Sequence, residues 1–358
     1  MKLLSVVGTR PQFVKAAALS PVLGKKHDEI LVNTGQHYDY ELARAQFDAL
    51  GLREPEYNLD VGSGTHARQT ASMMVILEDA MLKEKPDLVV LYGDTNSTLA
   101  GALSASKLGI PLAHVESGPR QHDLRIPEEI NRVIADRLSF LRFAPTGHTV
   151  ENLRNEGITE GVHLTGDVMY DIFLKTRSKI EERSGILDQY GVSHGKYILM
   201  TLHRPHNSDN KTALQEVMNG VRASGERVLF PVHPRTLVNL ERFEMMAELK
   251  RDSNISLVKP VDYLDMVTLM RNARIIVTDS GGVTREAYFC EVPSVSIEEV
   301  TPWPEVAEAG WSQVTGADAD RIANALENFA PRGPRLPIFG DGDACGKIVD
   351  IISSLEDK

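Results

Sequence analysis

The stretch DLVVLYGDTNSTLAGALSASKLGIPLAHVES, Asp87 to Ser117, decides the fold. DLVVLYG (87–93) is an apolar run without polar alternation, as a strand buried on both faces requires. TNSTLAGALSASKLG follows as a helical pattern that ends at Gly109, and PLAHVES returns to a strand. Strand, helix, strand in this form indicates a parallel sheet. The polar groups collect where the strands end. Gly93-Asp94-Thr95-Asn96 closes the first strand and Glu116 closes the second.

The same grammar runs outward in both directions. LLSVV (3–7) and EILVNT (29–34) read as earlier strands, with PQFVKAAALSPVL as a helix carrying Pro11 near its start. THARQTASMMVILEDAMLKE (65–84) is a long helix with Thr65 placed to cap it. LRFAP and VHLTG are further strands. The pattern restarts with YILMTLH (197–203), RVLFPVH (227–233), ISLVKP (255–260), RIIVTDS (274–280) and PSVSI (293–297). A polar helix-like stretch from Tyr170 to Tyr190 reads as the bridge. The expectation is α/β with two doubly wound, Rossmann-like domains, 1–168 and 169–342. Ligands in such sheets sit beyond the carboxyl ends of the strands, and two domains offer the cleft between them as the active site.

Composition removes several classes. The formal net charge of -11 over 358 residues argues against a general nucleic-acid binder. Neither Cys290 nor Cys345 belongs to a CxxC pair, so no disulfide or zinc framework is expected. The apolar run of MKLLSVVGTRP ends too soon for a signal segment, and no stretch reaches the ~18 apolar residues of a membrane span. A soluble cytoplasmic protein without membrane partners is expected.

Chemistry-bearing residues fall at the strand ends. In DSGGVTREA (279–287), Ser280, Gly281 and Gly282 present backbone N–H groups at a helix N-terminus, where the dipole also favours an anion. A simple capped turn would look the same. Glu286 lies one turn on, within reach of ribose hydroxyls. GTRP (8–11) is a second anion loop, in which Arg10 supplies a charged fork. Lys15, a turn further, faces either the cleft or, more simply, water. Asp94, Glu116 and Glu128 are three carboxylates that can divide acid and base roles. The competing reading pairs them with Arg120, Arg125 and Arg132 as solvated ion pairs, and Glu129 with Arg132 fits that reading at a spacing of three. His203, His206 and His233 have no clean ligand spacing, so no metal is expected. GSGTHA (62–67) follows only the short segment YNLDV, with no βαβ start there, and GDGDACGK (340–347) lacks the Ser or Thr of a phosphate loop.

Assembled, these residues resemble the UDP-N-acetylglucosamine 2-epimerase family of the non-hydrolysing type. The resemblance runs nearly end to end. It is carried by GTRPQFVK (8–15), TGQHYDY (34–40), YGDTNST (92–98), HVESG (114–118) and PEEINR (127–132). TGD (165–167), LHR (202–204), HP (233–234), DSGG…E (279–286) and GDGDA (340–344) continue it. The resemblance implies a glycosyltransferase-B-like arrangement whose last helix, about 343–358, crosses back to the first domain. It implies a cytoplasmic homodimer that needs no cofactor. UDP would be held mainly by the second domain at Ser280, Gly281, Gly282 and Glu286. Asp94, Glu116, Glu128 and His203 are the implied catalytic residues, and Arg10, Lys15, Arg132 and His233 the supporting contacts. The implied chemistry eliminates UDP from UDP-GlcNAc to a 2-acetamidoglucal and re-adds it as UDP-ManNAc.

The sequence also departs from the family pattern. Trp303 stands in TPWPE (301–305) for the usual arginine, and Pro119 lies within Gly118-Pro119-Arg120. Asp343 replaces a lysine in the late glycine motif. QHYDY (36–40) differs from the pattern that binds a second, regulatory UDP-GlcNAc. HYDY (37–40) and WPE…GW (303–311) resemble a branch that includes epimerases of UDP-2,3-diacetamido-2,3-dideoxy uronic acids. A hydrolysing epimerase that releases ManNAc is a further alternative.

Overall fold

The computed structural model describes residues 1–36, 50–183 and 185–356. The chain divides into two compact units, residues 1–175 with 337–358, and residues 176–336.

In the first unit seven parallel strands stand in the order β3-β2-β1-β4-β5-β6-β7. They are β1 (Lys2–Val7), β2 (Asp28–Asn33), β3 (Tyr57–Asn58), β4 (Leu88–Tyr92), β5 (Leu112–Val115), β6 (Leu141–Ala144) and β7 (Val162–Leu164). Leu4, Val6, Val89 and Leu91 pack under helices His66–Glu84 and Asn96–Lys107. The opposite face carries Arg10–Leu23, Val168–Lys175 and Ala344–Ser353, which pack on one another. With both faces covered, consecutive residues of the central strands are buried on either side, Leu3 to Val7 and Leu88 to Tyr92 throughout, and this explains the absence of alternation in LLSVV and LVVLY. Each fully buried Val or Leu is worth ~1.5–3 kcal/mol.

In the second unit the order is β10-β9-β8-β11-β12-β13, again all parallel. These strands are β8 (Ile198–Thr201), β9 (Val228–Pro231), β10 (Ile255–Val258), β11 (Ile275–Thr278), β12 (Ser294–Ser296) and β13 (Ser312–Val314). Each sheet reverses its winding once, between β1 and β4 and between β8 and β11. These are the switch points where doubly wound sheets leave a crevice.

Several expectations change. The first unit runs on to Lys175, because Val168–Lys175 packs on Arg10–Leu23 and Asp167 N–H donates to the Phe339 carbonyl. The chain rejoins this unit from Pro337, where 343 was expected. The stretch from Tyr170 to Tyr190 is not one bridging helix. Arg177–Glu181 and Gly185–Tyr190 belong to the second unit and bury Ile180 and Ile186 beside helix Tyr263–Asn272. Thr65 occupies the cap position of its helix, but its side chain makes no capping bond. The strands β3 and β13 carry too few residues to register as apolar runs. Among the described residues, no helix is long and apolar enough to cross a membrane.

Candidate active site

Two sets of polar side chains gather, one at the switch point of each sheet. In the first unit, Gly8 follows β1 and Gly93 follows β4. Gln12 ties them together. Its carbonyl accepts from Gly8 N–H at 2.9 Å, and its amide donates to the Tyr92 carbonyl at 2.7 Å and to Thr98 Oγ1 at 3.0 Å. Gly93 has φ +59, a left-handed conformation that costs a glycine little. The turn it makes delivers Asp94. One residue past the end of the neighbouring strand β5, Glu116 adopts φ +71. A non-glycine residue there is held by its surroundings, and its N–H donates to the Phe143 carbonyl.

Each carboxylate meets a cation. Lys15 Nζ lies 2.9 Å from Glu116 Oε1, with the two side chains only 5% and 11% exposed. Arg132 NH2 donates to Asp94 Oδ2 at 2.5 Å, and Arg132 NH1 lies 3.2 Å from Glu129 Oε2. Asn131 Nδ2 donates to the Asp94 carbonyl at 2.9 Å, so one helix turn grips both ends of that residue. Glu128 is the second residue of helix Pro127–Leu138 and is partly exposed. It lies four residues before Arg132 and therefore on the same face. Arg10 opens helix Arg10–Leu23 and is partly exposed.

These contacts overturn the solvated-pair reading. Lys15 does not face water, because the helix turns it toward the end of β5. Glu129 and Arg132 do pair at a spacing of three, but inside the protein, with side chains 2% and 3% exposed. Both Glu129 oxygens accept backbone N–H groups, from Gln121 and His122, so this residue builds the loop. Arg120 is buried on Asp136 and Glu156. Arg125 alone follows the surface reading, pairing with its neighbour Asp123 while 91% exposed.

In the second unit, Asp279 is fully buried at the end of β11. It accepts from the backbone N–H groups of His203 and Arg204, at 3.1 and 2.8 Å, and so fixes the turn after β8. His203 and His233 face each other with ring centroids 5.7 Å apart. His233 caps helix Pro234–Arg242 by accepting from Arg235 N–H through Nδ1. Ser280 caps helix Gly281–Phe289 by accepting from Val283 N–H. Gly281 is required by close approach, since a Cβ there would stand 2.5 Å from Pro302 Cγ. Gly282 is exposed, and Glu286 is buried in the second turn. Trp303 lies beside this turn with the Arg285 guanidinium 4.8 Å over its ring.

Sequence reasoning missed Gln12 and Asp279 as organisers. Both lie within quoted motifs, yet their partners are remote in the chain. Residues 37–40 of QHYDY lie outside the described residues. Among the described residues, no group of three or more His, Cys, Asp or Glu is placed to hold a metal ion.

A family model for UDP-N-acetylglucosamine 2-epimerase matches residues 23–353. The chain belongs to this family of isomerases. A Methanococcus maripaludis relative, named a UDP-N-acetylglucosamine 2-epimerase homolog, is 45% identical over 357 residues, covering 99% of this chain and 100% of that one. A UDP-2,3-diacetamido-2,3-dideoxy-D-glucuronate 2-epimerase from Pseudomonas aeruginosa is 38% identical, covering 99% and 100%. The crystal structure of Methanocaldococcus jannaschii UDP-GlcNAc 2-epimerase in complex with UDP-GlcNAc and UDP matches with a TM-score of 0.93 at 38% identity, again covering 99% and 100%.

Proposed function

We propose that the chain is a non-hydrolysing nucleotide-sugar 2-epimerase interconverting UDP-GlcNAc and UDP-ManNAc. The observation that carries this reading is the pair of cation-held carboxylates, Asp94 on Arg132 and Glu116 on Lys15. Inversion at C2 requires a proton to leave one face of the sugar and return to the other. The C2 hydrogen is weakly acidic, so its removal is coupled to departure of a good leaving group. A carboxylate takes the proton, the C1–O bond to the β-phosphate breaks, and a C1–C2 double bond forms. UDP and 2-acetamidoglucal are the products of this step. UDP then adds back at C1 while a proton reaches C2 from the opposite face. The sequence is redox-neutral overall and calls for neither NAD nor metal.

Two faces need two proton-handling groups, and Asp94, Glu116 and Glu128 supply them. The leaving diphosphate needs fixed positive potential, as in an oxyanion site. The N-terminus of helix Gly281–Phe289 with Ser280 offers this, supported by Arg10, His203 and His233. Glu286 suits the ribose hydroxyls. The reading extends to a cytoplasmic homodimer of 39.6 kDa chains.

A second reading, epimerisation of a UDP-2,3-diacetamido uronate, is favoured by the Pseudomonas aeruginosa relative and by Trp303 where the family pattern has arginine. Supplying each sugar nucleotide alone tests both. The higher kcat/KM identifies the substrate, whereas release of free sugar with UDP would refute the non-hydrolysing assignment. Ser280→Ala and Glu286→Ala are each expected to weaken UDP binding by ~1–3 kcal/mol, the worth of a buried or charge-assisted hydrogen bond. Calorimetry showing unchanged affinity in both variants would place the nucleotide elsewhere.

A further inference from the structure

Beneath Asp94 and Glu116 lies a buried charge network that the proposed chemistry does not itself use. His114, Ser117 and Asp136 are fully buried, and Arg120 is 3% exposed. His114 Nε2 lies 2.6 Å from the Gly93 carbonyl, and its Nδ1 lies 2.7 Å from Asp136 Oδ1. A carbonyl oxygen only accepts, so Nε2 must carry a proton. Asp136 also accepts from Ser117 Oγ at 2.6 Å, Gly118 N–H at 3.1 Å and Arg120 NH1 at 2.7 Å. A carboxyl group that takes this many donors, one of them a guanidinium, is an ionised acceptor. Ser117 Oγ also lies 3.0 Å from Nδ1, but its one proton goes to Asp136 Oδ1 at the shorter 2.6 Å. An unprotonated Nδ1 would then set its lone pair against Asp136 Oδ1 at 2.7 Å, so Nδ1 carries a proton too. Arg120 also holds Glu156 through Nε at 2.6 Å and NH2 at 2.9 Å, and Arg142 Nε donates to the Asp136 carbonyl at 2.6 Å.

The placement of this histidine gives the network a use. Gly93 is the residue before Asp94, and its N–H donates to the Val115 carbonyl. His114 therefore clamps the peptide that aims Asp94. It also sits two residues before Glu116, on a strand end whose following residues, Ser117 and Gly118, are tied to the same Asp136. We propose that His114, held as an imidazolium by Asp136, is a positioning residue that fixes the aim of Asp94 and Glu116 together. The proposal rests on the epimerase reading for its effect on turnover, but not for the charge state of His114.

Two measurements test it. In the wild-type protein, nitrogen-15 NMR of labelled histidine, with the His114 signal assigned by its loss in His114→Gln, should show both ring nitrogens protonated at neutral pH. A single protonated nitrogen overturns the proposal, whatever the protein catalyses and whether or not variants fold. The second compares two amides. Gln places its donor near Nε2 and can keep the bond to Gly93, whereas Asn places its donor near Nδ1 and cannot. His114→Asn is expected to lose about 10–100-fold in kcat, the scale of a small misplacement of catalytic groups, with KM and UDP affinity unchanged. His114→Gln should recover a large part of that loss. Equal kcat in wild type and folded His114→Asn overturns the positioning role, as does an equal loss in both variants. Absence of epimerisation in the wild type would instead sink the functional reading and leave the NMR result standing.

Discussion

Glu128→Gln is expected to lower turnover by ~100-fold or more, the usual worth of an acid–base group. The substitution keeps the side-chain shape and removes the proton acceptor. Glu128 lies in the first turn of helix Pro127–Leu138, one turn before Arg132, which holds Asp94. On the proposed function a residue on that face would serve the chemistry, whereas its neighbour Glu129 is spent on the N–H groups of Gln121 and His122. Glu129→Gln should therefore act on stability, and Glu128→Gln on kcat. UDP affinity and melting temperature of Glu128→Gln should match the wild type. A wild-type rate, or simple unfolding, would make Glu128 structural.

Asp136→Asn is expected to destabilise the protein by ~3–5 kcal/mol, the cost of leaving buried charges uncompensated. Burial by itself pushes the Asp136 carboxyl up, but His114 and Arg120 outweigh it and hold the group well below the ordinary 3.8. A depressed carboxylate stabilises the fold above its unfolded value and loses that contribution as pH falls through the folded one. Wild-type stability should thus be insensitive to this group above about pH 4 and should fall in stronger acid. Denaturant unfolding across this range reads both effects. In Asp136→Asn the acid-dependent component should shrink. A neutral-pH stability equal to wild type would show that the network carries no folding energy.

The two parallel sheets were legible because both of their faces are covered. That condition writes itself into the sequence as unbroken apolar runs such as LLSVV and RIIVT, and the strand ends then mark where polar side chains emerge. β3 and β13 were not legible, since two or three residues leave no periodicity to read. The charged run from His114 to Arg132 was legible as unusual but not in its wiring. Local spacing suggested surface pairs, but Arg120 and Arg132 are buried on Asp136, Glu156 and Asp94 from other elements, and the Glu129–Arg132 pair lies inside the protein. Lys15 follows the same logic. Only the fold brings it 101 residues along the chain to Glu116. A pairing that depends on tertiary approach leaves no local trace, whereas a cap or a glycine turn does.

On the proposed function, C2 loses its hydrogen to the protein during inversion. Incubating the wild-type protein with UDP-GlcNAc in deuterium oxide, with no added NAD or metal, tests it most directly by proton NMR. UDP-ManNAc and UDP-GlcNAc are both expected to carry deuterium at C2, with no free sugar accumulating. An epimer that retains its original C2 hydrogen, free ManNAc with UDP, or an unchanged substrate would contradict it.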